Sequence, residues 1–410
     1  MSSLPDKGTA RVIIEKLGGE GVPPEYGFQF FTVGLDCYLS IIDKEYLSSY
    51  IQQGGAAFKL VMGVYGCGKT HFLYCVREIA WERNFVVSYV PLNPNSCPFH
   101  RPELVYREMV KNITLPQQPT GPEMIIERGI ESFLKGWIAK RTLEMRNRGI
   151  TNEEVNELIR KEIENIRGVE NRSFANAIRE ACRAILEHSE SNFDVICQWL
   201  EGEMYDRQTL RPYGINERIG RTNAFSMIRS LAQCVREMGY SGLVILFDET
   251  EMLPSLAGRD RENHLINLRE LIDRCAHTDF RGVMIFYACP DINFIEGGRG
   301  IAYQALAQRV ETMFDELNPT GVKIDLEKLP VEPKDLLRNI GKKLKDIYEI
   351  ATESKLDPQK VDEVIEGTIQ EVIQRRFEDT GHRRLFVQTL IERFHHLKRG
   401  EVLDDLKIKK

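Results

Sequence analysis

The stretch Gly63–Phe72 reads GVYGCGKTHF, with Gly63, Gly66 and Gly68 close together and a lysine and a threonine directly after them. It meets the pattern G-x-x-x-x-G-K-[ST] through Gly63, Gly68, Lys69 and Thr70. Backbone N–H groups can surround a dense negative charge only where no Cβ intrudes and positive φ is open, and glycine supplies both. If the turn opens a helix, the first amides and the dipole of that helix add to anion binding. The pattern predicts a loop in which Gly63, Val64, Tyr65, Gly66, Cys67, Gly68 and His71 wrap the phosphates of ATP. Lys69 would reach the β- and γ-phosphates, and Thr70 would hold Mg²⁺ through its hydroxyl. The plainer alternative is a glycine-rich turn with a solvated lysine. The flanks argue against it: FKLVM (58–62) reads as a short buried strand, a helix is predicted over about 69–83, and FVVSYVPL (85–92) reads as the next strand. Strand, turn, helix and strand form a βαβ unit, the building block of a parallel sheet.

Working outward, GLVILF (242–247) reads as another buried strand that ends in Asp248-Glu249. Ligand sites of α/β sheets lie at such carboxyl ends. Asp248 is therefore expected in the Mg²⁺ shell, and Glu249 is expected to orient or deprotonate an attacking water. An acidic turn after a core strand is the alternative, and Glu251 is left outside the core site. GVMIFY (282–287) is a further strand, ending in ACPD. An AAA+ ATPase usually carries there a polar residue that helps place the water. The residues available are Cys289 and Asp291, and the usual Asn, Thr or Ser is missing. Arg309, in YQALAQRVE, could stabilise charge on a neighbouring subunit's γ-phosphate or be a solvated helix arginine. Arg384, in TGHRRLFV, could contact the nucleotide from a C-terminal lid, with Arg383 a close rival.

Between these motifs, residues 103–239 read almost entirely as helix, with Thr151 and Glu154 placed as a capping box and an amphipathic stripe in RSFANAIREACRAIL. The expected organisation is an N-terminal helical segment (1–53), a P-loop core (54–330) carrying that helical insertion, and a C-terminal helical or winged-helix-like domain (331–410). The expected fold class is α/β, an AAA+-like P-loop NTPase with a parallel sheet.

Composition sets bounds. The 410 residues are 42% hydrophobic and 28% charged, which describes a globular chain. No apolar run approaches the ~20 residues a membrane helix needs. The nine cysteines are scattered without C-x-x-C spacing. They read as reduced core thiols, and with an N-terminus lacking a signal pattern they predict a cytoplasmic location. The formal net charge of −6 excludes a strongly basic DNA-binding domain as a description of the whole chain. Basic clusters after Glu332 (Lys342-Lys343, Arg375-Arg376, Arg383-Arg384, Lys407–Lys410) could bind DNA or form a solvated helical surface.

The order of GEGVPPEYGFQFFTVGLDCYLSIID, FKLVMGVYGCGKTHFL, CPFHRPELVYREMV, GYSGLVILFDETEML and YQALAQRVE resembles the BREX-type ATP-binding family of P-loop proteins, over nearly the whole chain. The length resembles its shorter, BrxD-like members. The resemblance implies an AAA+-like ATPase that works beside DNA-processing partners such as a helicase, in defence against foreign DNA. It matches Gly63, Gly66, Gly68, Lys69 and Thr70 to the phosphate loop and Asp248 and Glu249 to the Walker B pair. It matches Arg309 to a finger-like arginine and Arg384 to a sensor-like one. Three functions follow for comparison: an ATP hydrolase acting as a homo-oligomer, an ATP-gated assembly or DNA-binding module with little hydrolysis, and a phosphotransferase on the same loop.

Overall fold

The computed structural model describes residues 4–117, 125–203, 205–248, 258–277, 279–290, 301–375 and 382–400, with the side chains of 301–305 outside that description. Among the described residues six strands form one sheet: β1 (Ala56–Met62), β2 (Phe85–Pro91), β3 (Ile113–Thr114), β4 (Gly242–Asp248), β5 (Val283–Cys289) and β6 (Lys323–Asp325). Their order is β3-β2-β4-β5-β1-β6, and every pairing is parallel except β2 with β3. The central strands are buried on both faces, which is why GLVILFD and VMIFYAC read as continuous apolar runs rather than alternating ones. The chain has a mixed α/β fold of the P-loop-like kind, with a mostly parallel sheet.

Side chains alternate between two core layers. Val244, Leu246, Met284, Phe286 and Ala288 face the layer of α3 (Lys69–Glu82), the helix that leaves β1 for β2. Leu243, Ile245, Phe247, Ile285 and Tyr287 face the opposite layer, under a block of helices. That block comprises α4 (Pro102–Lys111), α5 (Ile130–Asn147), α6 (Asn152–Glu164), α7 (Arg172–Leu186), α8 (Glu190–Leu200), α9 (Arg207–Leu210) and α10 (Ala224–Glu237), and α11 (Gly258–Ala276) follows β4. In α7 the buried Phe174, Ala177, Ile178, Ala181 and Cys182 recur at helical spacing. The capping box of α6 is formed: Thr151 N donates to Glu154 Oε2 at 3.2 Å, and Glu154 N lies under the Thr151 hydroxyl. Among the described residues of 103–239, one strand departs from the helical reading. Ile113–Thr114 adds antiparallel to the edge of β2, and two residues are too few to show a strand period.

The remaining helices are α12 (Ile301–Val310), α13 (Pro333–Thr352), α14 (Pro358–Gln374) and α15 (His382–Arg399). They join α1 (Lys7–Gly19) and α2 (Asp36–Ile41), the last running on into a π-helical stretch, Ile42–Tyr50. α1 buries Ala10, Ile13, Ile14 and Leu17 against α13 and α15. The first and last parts of the sequence therefore share one helical cluster. This packing holds residues 20–35 over the turn that follows β1.

Candidate functional site

The turn after β1 is shaped by two glycines. At Gly63 a Cβ would run into Cys67 Sγ. Gly68, with φ of 99°, is left-handed at the start of α3, where an L side chain would be strained. The turn folds tightly enough that Lys69 reaches back across it, and its ammonium donates to Gly63 O at 2.8 Å and Val64 O at 3.2 Å. The Cys67 thiol is buried and pushed up to about 11, so it stays protonated at neutral pH. His71 Nε2 meets Thr32 Oγ1 at 2.8 Å, with the Phe31 ring centroid at 5.0 Å. Burial holds this imidazole down at about 3, so it is neutral and ties the turn to the N-terminal segment.

Thr70, the second residue of α3, donates to Asp248 Oδ2 at 2.7 Å. The Tyr89 hydroxyl donates to the same oxygen at 2.6 Å. Asp248 terminates β4 on the α3 face because it continues the alternation Val244, Leu246, Asp248. It is 2% exposed.

A cleft opens beside the turn. Its walls are Val22 and Pro23 from the N-terminal segment, Leu336 and Ile340 from α13, and Val387 with two arginines from α15. Arg383 donates to Cys67 O and Leu326 O, each at 2.5 Å, and burial lowers its pKa. Arg384 donates to the Tyr65 hydroxyl and to Glu20 O, with its guanidinium 4.8 Å from the Tyr65 ring centroid. Both arginines thus reach the turn, Arg383 through a backbone carbonyl and Arg384 through a side chain.

The donor set fits a hard cation beside phosphates. A hydroxyl and a carboxylate are oxygen ligands suited to Mg²⁺, and an ammonium with helix N-terminal amides suits phosphate oxygens. Among the described residues no cluster of three or more His, Cys, Asp or Glu could hold a metal ion on its own. A Mg²⁺ ion at Thr70 and Asp248 would draw its remaining ligands from water and phosphate, as Mg²⁺ commonly does.

The profile of one protein family, described as BREX system ATP-binding protein BrxC/D, matches residues 6–406. The chain belongs to this family. Membership implies ATP binding within a BREX phage-defence system. A search of curated proteins found no match to this BrxC/D family member. Among its described residues no helix is long and apolar enough to cross a membrane.

Arg309, near the end of α12, pairs within its own chain with Asp273 of α11, with Nη2 3.3 Å from Oδ2 and Nε also bonded. Cys289 ends β5, which runs between β1 and β4, and its side chain packs in the layer opposite α3. Its carbonyl accepts from Gly63 N at 3.3 Å. Glu249, Glu251 and Asp291 lie outside the described residues. Tyr89 was not singled out from the sequence. The signal for it is the same alternation that places Asp248: Val87 and Tyr89 share the α3 face of β2, one strand over.

Proposed function

We propose that this BrxC/D family member is a Mg²⁺-dependent, AAA+-like ATPase, closest to the BrxD-like members, with a P-loop core over 54–330 and a lid or winged-helix-like domain over 331–410. The observation that carries the reading is the contact of Thr70 with Asp248, with Lys69 at the adjoining turn. These residues supply the hydroxyl, carboxylate and ammonium that a Mg²⁺–triphosphate needs within one small volume.

On binding ATP, the Lys69 ammonium exchanges the Gly63 and Val64 carbonyls for β- and γ-phosphate oxygens. The turn amides take up the rest of the phosphate charge. The base and ribose occupy the cleft between Val22-Pro23 and α13, whose walls there are apolar. Thr70 and Asp248 would hold Mg²⁺, which would supply neutralisation of charge developing on the phosphates. Glu249, next in sequence, takes the proton of the attacking water. Arg383 and Arg384 connect the state of the turn to α15, so the C-terminal helices feel which nucleotide is bound. Arg309 acts as a finger on a neighbour's nucleotide after releasing Asp273. In the cytoplasm the protein works as a homo-oligomer with DNA-processing partners such as a helicase.

Phosphate release measured with and without duplex DNA tests this. Wild type is expected to turn over ATP, and Glu249→Gln to keep ATP affinity while losing turnover. Equal turnover in the variant would remove Glu249 from the mechanism. A second reading, an ATP-gated assembly module, draws on Cys289, whose side chain packs away from the α3 face. Absence of phosphate release under every condition, with ATP still bound, would favour that module.

A further inference from the structure

We propose that Tyr89 is a positioning residue for the magnesium site: its hydroxyl fixes the orientation of the Asp248 carboxylate and thereby sets the affinity for Mg²⁺–nucleotide. The proposal rests on the reading of Thr70 and Asp248 as the magnesium site.

The geometry is specific. Tyr89 lies on β2 in register with Leu246 of β4, two residues before the Pro91–Asp248 pair. Both side chains project to the α3 face, so a long side chain at 89 reaches the carboxylate at 248 diagonally across one strand spacing. The hydroxyl donates to Oδ2 at 2.6 Å, a length typical of a hydroxyl donating to a charged oxygen. Thr70 donates to that same oxygen from α3. Two hydroxyls approaching one oxygen from two elements leave the carboxylate little freedom to rotate.

The two donors have different futures once a cation arrives. Thr70 is itself expected on the metal, so its lone pair, and part of its orientation, is committed there. Tyr89 has no such duty and holds Oδ2 in both the free and the bound state. Its own ring is held in turn, packed 5.4 Å from the Tyr74 ring of α3. Tyr74 also lies over the Arg77 guanidinium, whose Nη2 donates to Glu25 O at 2.6 Å. The hydroxyl that aims Asp248 is thus braced by α3 and by the N-terminal segment. Partners of metal-binding carboxylates in such positions commonly matter ten- to a hundredfold in metal affinity.

The test is binding of a fluorescent, non-hydrolysable ATP analogue to the full-length chain, in EDTA and across a Mg²⁺ titration, for wild type, Tyr89→Phe, Asp248→Asn and the double variant. Phenylalanine keeps the ring contact with Tyr74, and thermal melting checks that the fold is retained. Y89F is expected to bind the analogue in EDTA as wild type does and to need roughly tenfold more Mg²⁺ for half-saturation. In the D248N background the same change is expected to do nothing further, which a merely structural role for the ring would not reproduce. Tyr89→Leu, which removes the ring as well, is expected to lower the melting temperature in addition to raising the Mg²⁺ requirement. Equal Mg²⁺ requirements for wild type and Y89F would overturn the proposal while leaving the magnesium site intact. Wild-type binding that ignores Mg²⁺ would instead overturn the reading of Thr70 and Asp248 on which it stands. Should Y89F fail to fold, Tyr89→Trp, which keeps an aromatic ring beside Tyr74 and lacks the hydroxyl, goes through the same Mg²⁺ titration; a wild-type Mg²⁺ requirement in it overturns the proposal, and a raised one supports it.

Discussion

Thr70 Oγ1 and Asp248 Oδ2 stand 2.7 Å apart although 178 positions separate them in sequence. Nothing local brings them together. α3 and β4 are joined by β2, the helical block and the closing of the sheet. Thr70 is near the start of the helix and Asp248 at the end of the strand, so the pair sits where carboxyl ends of strands meet helix N-termini.

Thr70→Ala removes the hydroxyl expected on the metal but leaves the turn amides and Lys69. Binding of an ATP analogue in EDTA is expected to be unchanged, and the extra affinity conferred by Mg²⁺ to fall roughly ten- to a hundredfold. Calorimetric titration with and without Mg²⁺ reads both. An equal loss in the two conditions would mean that Thr70 supports the turn rather than the cation.

Arg383 and Arg384 are adjacent, yet they differ in burial and partners. Arg383 is held by Cys67 O and Leu326 O in a buried setting, whereas the Arg384 contacts are solvent-exposed and therefore weak. Arg383→Ala is expected to lower both the melting temperature and nucleotide affinity, the latter about tenfold, and Arg384→Ala to change affinity less than about threefold. The reverse order in a binding assay would show that the exposed arginine is the one that reads the nucleotide.

The strands and the helix around Gly63–Thr70 were legible because apolar runs, glycines and a helical stripe are local signals. The tip of β4 was legible for the same reason: five apolar residues precede two acids. Which of two neighbouring arginines is buried against the turn was not, because consecutive residues on a helix point ~100° apart and the rotation of α15 is set by its packing on α1, α13 and α14. Tyr89 escaped because a tyrosine in FVVSYVPL serves equally well as a strand residue. Only the pairing of β2 with β4, a long-range fact, turns it toward Asp248. The docking of α1 on α13 and α15 joins the two ends of the chain, which no periodicity records.

His264 of α11 is 2% exposed, with Nε2 2.7 Å from the Tyr287 hydroxyl, and burial holds its pKa down at about 3. In the unfolded chain a histidine takes its proton near 6.5. Between these values the unfolded state binds the extra proton, so stability falls as pH drops from about 6.5 toward 3. The wild-type advantage over His264→Gln in unfolding free energy is expected to shrink by ~2 kcal/mol between pH 6.5 and 5. Urea unfolding at each pH measures it, and a pH-independent difference would contradict the neutral, buried histidine.

Arg309 engages Asp273 within one chain. A finger role requires that this pair open when a neighbour presents its nucleotide. Sedimentation with a non-hydrolysable ATP analogue is expected to show assembly, and Arg309→Ala is expected to assemble yet lose ~10³-fold or more in turnover. A strict monomer with full turnover would contradict a role in trans.

The most direct test of the account is a calorimetric titration of ATP into the wild-type chain, run once with Mg²⁺ and once with EDTA. Saturable uptake of one ATP per chain is expected, tighter with Mg²⁺ than without. No uptake, or uptake of equal strength in both runs, would contradict a shared magnesium at Thr70 and Asp248.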